Sequence, residues 1–172
     1  MTHVLQYRYQ DQSKKAICGA ISMYRNLSPQ HEFYHFPNGV SQELVALSGT
    51  IPVTYKGTVY NIPVAIFIPV DYPYSPPICY VKPTADMMIK TGRHVDASGR
   101  VYLPYLSDWK NDQSDLLGVI QVMIIVFGEC PPVFSKPKTT PGVVMPDPNS
   151  PYPRQRKYQS IHSLVLFGSL FA

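Results

Sequence analysis

Apolar positions recur at three- and four-residue steps through residues 14–27, where Ile17, Ala20, Ile21, Tyr24 and Leu27 share one helical face. This spacing predicts a helix that ends at Ser28-Pro29, because proline disfavours the helical conformation in the residue before it. The period then changes to two. Residues 32–36 predict a strand running to the turn pair Asn38-Gly39, residues 42–55 a second strand running to Lys56-Gly57, and residues 58–69 a third. In the third, Ile62, Val64, Ile66 and Ile68 fall on one face and Asn61, Pro63, Ala65 and Phe67 on the other. Residues 78–82 predict a fourth strand. Short strands joined by tight turns give an antiparallel meander with one aliphatic face.

Residues 83–113 show no sustained period and read as an ordered loop region. Ser114-Asp115 offers a cap to a helix over 115–128, whose apolar positions extend most of the way round, so it is expected to be well buried. After Gly128 the composition shifts. Residues 131–153 hold eight prolines, which predict an extended segment with a mobile later part. The apolar end, residues 163–172, makes about three turns if helical. Helix, four-stranded meander, long loop and helix in that order define an α+β domain over residues 1–137, followed by a Pro-rich, flexible tail over 138–172.

Charge narrows the function. Residues 1–130 carry ten Lys/Arg and ten Asp/Glu, so the surplus of the net +4 lies in residues 131–172. A neutral body argues against nucleic acid as the partner. The three cysteines, Cys18, Cys79 and Cys130, form no CxxC pair and no metal-ligand spacing, so no metal and no cofactor is expected. Residues 1–15 are polar, without the apolar core of a signal peptide, which points to a reducing, cytoplasmic setting. The longest apolar stretch, Val119 to Phe127, is too short to span a membrane.

Two segments carry the chemistry. Tyr72-Pro73-Tyr74-Ser75-Pro76-Pro77 follows the clearest strand and makes a rigid corner, since proline fixes φ and aromatic rings pack on it. Downstream come His94-Val95-Asp96, Gly99, Val101-Tyr102-Leu103 and Trp109. This arrangement resembles the ubiquitin-conjugating enzymes: a YPxxPP corner, an HPN-like triplet, the catalytic cysteine and a later Trp. Tyr102 stands at the cysteine position and Asp96 at the asparagine position. A phenol titrates near 10 and a thiol near 8.5, so Tyr102 is a poor nucleophile at neutral pH. A carboxylate also lacks the amide donor that stabilises an oxyanion. No catalytic residue is therefore assigned. Cys79, on a predicted strand, reads as a buried inert thiol, and Cys130 follows a helix C-terminus, which raises a thiol pKa.

Within that fold the chain is similar to the UEV (ubiquitin E2 variant) domains, and among them to those of endosomal-sorting ESCRT-I subunits. Shared stretches include GTIPVTYKG at 49–57, YNIPV at 60–64, YPYSPPICYVKPT at 72–84, IKTGRHVDASGRVYLPYL at 89–106 and the run 113–137. The resemblance implies a non-enzymatic adaptor that binds Pro-Thr/Ser-Ala-Pro motifs and, more weakly, ubiquitin and ubiquitylated cargo. It would be cytoplasmic and recruited to endosomal membranes.

The resemblance places the peptide groove at Thr50, Tyr55, Tyr60, Asn61, Ile62, Thr84, Met87, Val133, Phe134 and Ser135. Tyr rings suit proline, giving apolar area at low entropic cost, although tyrosines beside a turn commonly just fill the space under a hairpin. The ubiquitin face would use Phe36, Pro37, Asn38, Phe67 and Tyr80. Phe67 lies opposite the isoleucines and is expected to be exposed enough to meet a partner. His94 is expected to bond backbone, and Pro83-Thr84-Ala85-Asp86 to be structural. An alternative implied by other UEV members is an inactive partner that positions ubiquitin for an active conjugating enzyme. Residues 160–172 match none of the segments that follow this domain in sorting subunits, so other ESCRT-I subunits are expected as partners only of a longer chain.

Overall fold

A computed structural model describes residues 6–138. The expectations for the tail, including its mobility and the apolar end, lie outside the described residues. Helix α1 (Gln10–Met23) is followed by strands β1 (Leu27–His35), β2 (Ser41–Tyr55), β3 (Thr58–Ile68), β4 (Ile78–Val81) and β5 (Met87–Ile89). Helices α2 (Pro104–Ser107) and α3 (Leu116–Glu129) and strand β6 (Val133–Ser135) complete the order. The four-stranded sheet runs β1-β2-β3-β4, all antiparallel, and β5 and β6 form a separate pair.

Side-chain alternation drives the packing. Odd positions of β2 (Leu47, Ile51, Val53) and even positions of β3 (Ile62, Val64, Ile66, Ile68) face the main core with Val119, Ile120, Met123 and Phe127 of α3. The opposite face of the sheet is covered too: Tyr34, Leu44, Ala46, Ala65 and Phe67 form a second, smaller cluster. The β2–β3 turn is the expected one. Lys56 and Gly57 both have positive φ (48° and 79°), the geometry that matches the twist of a two-residue hairpin. Gly128 lets α3 lie against β2, because a Cβ there would meet the Thr54 carbonyl oxygen at 2.8 Å.

Several boundaries differ from the sequence reading. Helix α1 begins at Gln10, since buried Ser13 satisfies its hydroxyl by donating to the Tyr72 carbonyl at 3.3 Å, which lets a polar turn face inward. It stops at Met23, and Leu27 opens β1. Pro29 lies within β1, which tolerates it as an edge strand. Residues 83–113 are not loop throughout: they contain β5, α2 and a bridge between Val95 and Val101. Helix α3 is capped as expected, Asp115 Oδ1 accepting from Gly118 N at 2.6 Å, but it is not buried all round, for Ile125 is 63% exposed.

Candidate functional site: a silent cysteine position, a tyrosine-lined wall and an aromatic outer face

The Tyr72–Pro77 corner and the Trp109 region meet in space. The Trp109 indole donates to the Pro73 carbonyl at 2.7 Å, and its ring lies 6.0 Å from both Tyr72 and Tyr105. The peptide bond before Pro73 is cis. This staple holds α2 against the corner and places Tyr102 beside a hollow of about 180 Å³ lined in part by Pro76, Cys79, Leu103 and Leu106.

Tyr102 is 53% exposed, and its hydroxyl donates to Asp96 Oδ2 at 3.1 Å. Asp96 Oδ1 accepts from Ser98 N, Ser98 Oγ and Arg100 N at 2.9, 2.6 and 3.0 Å. The Ser98 hydroxyl in particular holds the Asp96 carboxyl below its usual range, while the hydrogen bond to Asp96 pushes the Tyr102 phenol up. His94 Nδ1 lies 3.0 Å from the Tyr102 carbonyl oxygen, a backbone role as expected. Cys79 is fully buried, and burial pushes its thiol up to about 12. Among the described residues no cluster of three His, Cys, Asp or Glu could hold a metal, and no helix is long and apolar enough to cross a membrane.

The residues expected for the peptide groove divide by face. Tyr60, Ile62, Met87 and Val133 belong to one buried cluster, with Tyr55 packed on it. Antiparallel pairing sets Met87 opposite Ser135 and Met88 opposite Phe134. Lys90 N donates to the Pro132 carbonyl at 2.7 Å and Lys136 N to the Asp86 carbonyl at 2.8 Å, so the wall is tied at both ends. Phe134 is exposed, whereas Ile62 and Val133 are closed off and support the wall from behind, and Tyr60 and Met87 keep only 5% and 7% exposure at its surface. Thr84 is exposed in the turn before β5, its carbonyl accepting from Met87 N, which makes the Pro83–Asp86 stretch structural as expected. Thr50 and exposed Asn61 sit opposite Pro63 and Pro52, and alternation turns Asn61 to the other face of β3 from Tyr60. Ser135 Oγ is buried and has no hydrogen-bond partner among the described residues.

The outer face corrects one expectation. Phe67 is only 4% exposed and does not present itself to a partner. Tyr34 covers it at a ring distance of 5.2 Å and Tyr80 at 6.1 Å, so the strand face opposite the isoleucines is an aromatic layer of its own. Tyr80 and Phe36 are half-buried on this layer, and Pro37 and Asn38 are exposed in the hairpin, where Asn38 Oδ1 accepts from Val40 N at 3.0 Å.

Three residues here escaped the sequence reading. Arg100 donates through Nη1 to the Tyr34 hydroxyl at 2.7 Å. Its guanidinium lies 5.7 Å from the Tyr80 ring, and Lys82 Nζ lies 5.3 Å from the same ring. Tyr34 shares its strand parity with Phe36 and was open to detection by alternation. Arg100 sits in an aperiodic segment and gave no signal.

A four-stranded meander, a cross-packed helix and a proline corner stapled to a cysteine position that carries a phenol define a variant of the ubiquitin-conjugating fold. The chain belongs to the UEV domain family, whose pattern matches residues 1–135. It is 55% identical over 134 residues to the human "Tumor susceptibility gene 101 protein", a match covering 78% of this chain and 34% of that protein. The chain thus spans about a third of the length of the curated relatives it matches at 54–55% identity. Two solved structures share the fold. The yeast vps23 UEV domain in complex with a vps27 PSDP peptide has a TM-score of 0.64 at 23% identity, covering 75% of this chain and 88% of that one. The Vps23 UEV in complex with ubiquitin has a TM-score of 0.58 at 21% identity, covering 69% and 81%.

Proposed function

We propose that this chain is a catalytically silent adaptor. Its domain, residues 1–137, takes Pro-Thr/Ser-Ala-Pro-type peptides on the wall of Tyr55, Tyr60, Met87, Phe134 and Ser135. It takes ubiquitin, more weakly, on the hairpin and outer face at Phe36, Pro37, Asn38 and Tyr80. Together these functions would sort ubiquitylated cargo at endosomes from a cytoplasmic pool; the support is the likeness to an ESCRT-I complex subunit and to UEV domains bound to a PSDP peptide and to ubiquitin.

One observation carries the peptide assignment: the Ser135 hydroxyl, buried and without a hydrogen-bond partner among the described residues. A buried hydroxyl without a partner costs about 1–3 kcal/mol, and a ligand carbonyl offered to it recovers that cost. Proline-rich peptides suit such a wall. Each proline removes an N–H and leaves a carbonyl acceptor, so hydroxyl donors set among apolar rings fit their chemistry. Silence rests on Tyr102 and Asp96, which remove the thiol and the amide together. Ubiquitin is the weaker ligand because buried Phe67 leaves the outer face only Phe36 and Tyr80 as aromatic anchors.

Calorimetric titration of a Pro-Thr-Ala-Pro peptide tests the wall. Met87→Ala and Ser135→Ala are each expected to weaken binding, Met87→Ala by about tenfold, equivalent to about 1.4 kcal/mol. Unchanged affinity in both variants would remove the assigned wall.

A further inference from the structure

The chain carries a segment that matches the chemistry of the wall's proposed ligand. Only two pairs of prolines in the whole sequence stand three residues apart, Pro73 with Pro76 and Pro148 with Pro151. The first pair is built into the fold, where the Pro73 carbonyl accepts from Trp109. The second lies outside the described residues and encloses Asn149 and Ser150. Pro148-Asn149-Ser150-Pro151 thus sets a small hydrogen-bonding side chain second and a small side chain third. The Pro-Ser-Asp-Pro peptide held by the yeast domain has the same proline spacing with two small polar residues between.

The segment can reach the wall. Strand β6 is the wall's own edge, and the chain leaves it at Lys136, whose N–H is anchored on the Asp86 carbonyl at 2.8 Å. Pro148 lies ten residue steps beyond Lys138, a length that, extended, spans up to about 33–36 Å. Strands β5 and β6 are three residues each, so the wall itself is on the order of 10 Å long. A short tether of this kind holds its end near the wall at an effective concentration in the millimolar range.

We infer that Pro148-Asn149-Ser150-Pro151 docks on the Tyr55–Tyr60–Met87–Ser135 wall of its own chain, so that an outside peptide must displace it. The inference rests on the peptide-wall reading proposed above. Asn149 and Ser150 keep small size and polarity but are not the Thr/Ser and Ala of the implied ligand, so the segment is the poorer ligand and wins occupancy through tethering. A segment with an intrinsic dissociation constant between about 1 and 0.1 mM, held at about 1 mM, is seated half to nine-tenths of the time. That weakens the apparent affinity of an outside peptide by about two- to tenfold.

The test compares the full 172-residue chain with its Pro148→Ala/Pro151→Ala double variant, whose changes lie outside residues 1–135 matched by the domain family. NMR signals of Tyr55, Tyr60 and Met87 are expected to differ between the two chains, equally at high and low protein concentration. The double variant is expected to bind a Pro-Thr-Ala-Pro peptide about two- to tenfold more tightly. Coincident wall signals together with equal affinities overturn the self-docking and leave the adaptor reading standing. A difference that vanishes on dilution overturns docking within one chain and assigns the contact to a second copy. Shifted wall signals without binding of the added peptide by either chain support the self-docking and remove the proposed outside ligand.

Discussion

The Tyr102 hydroxyl donates to Asp96 Oδ2 at 3.1 Å. The residue at the nucleophile position and the residue at the asparagine position are therefore partners of each other. The bond keeps the phenol protonated, because removing its proton would set two anions side by side. It also occupies the carboxylate, whose other oxygen already accepts three hydrogen bonds. The proposed loss of catalysis thus rests on a local network as well as on a missing thiol.

Restoring the thiol alone is not expected to restore the chemistry. In Tyr102→Cys the new sulfur sits beside the Asp96 carboxylate, which disfavours the thiolate and supplies no amide donor. Tyr102→Cys/Asp96→Asn is expected to charge faster than the single variant. The parent chain, incubated with activating enzyme, ubiquitin and ATP, is expected to show no dithiothreitol-sensitive adduct. Such an adduct on the parent would end the claim of silence.

High pH tests the packing behind both faces. Burial first, and for Tyr34 the hydrogen bond it shares with Tyr80 second, pushes Tyr34 and Tyr72 up to about 12 from 10.0. A folded pKa raised above the unfolded one contributes stability that is fully present below pH 10 and lost as pH rises through about 12. The urea midpoint is therefore expected to show no loss from these two groups up to about pH 10 and a fall beyond it. Ultraviolet titration of the phenols is expected to show a late-ionising fraction that Tyr34→Phe reduces. A titration with all phenols ionised by pH 11 in the folded chain would contradict the burial of these two.

The outer face separates a residue that holds the fold from one proposed to meet a partner. Phe67→Ala removes a ring enclosed by Tyr34 and Tyr80 and is expected to cost about 3 kcal/mol of stability. Tyr80→Ala, at a half-buried position flanked by Lys82 and Arg100, is expected to cost less stability and to weaken ubiquitin binding more. Denaturant unfolding and a ubiquitin titration on the same two variants check this. The opposite ranking would restore Phe67 as the contact.

What the sequence shows and what it hides follow from range. The alternation of Ile62, Val64, Ile66 and Ile68, the Lys56-Gly57 turn and the Asp115 cap are local, and each appears in the structure as read. The β5–β6 pair joins three-residue strands more than forty residues apart, too short for a period and too distant for a turn signal. Phe67 misled because alternation says which face a residue takes, not what covers that face. Its cover comes from Tyr34 two strands away and Tyr80 on the neighbouring strand. Ser13 and Arg100 show the same limit for polar groups: each is tied to the fold by a hydrogen bond across more than fifty residues.

One titration bears on the central claim most directly: backbone NMR of the full chain with a Pro-Thr-Ala-Pro peptide, followed by ubiquitin. The account predicts that the peptide moves signals of Tyr55, Tyr60, Met87, Phe134 and Ser135, and that ubiquitin then moves Phe36, Pro37-neighbouring amides, Asn38 and Tyr80 with the peptide still bound. Peptide-induced shifts confined to the Tyr102–Asp96 region, or none at saturating peptide, would contradict it.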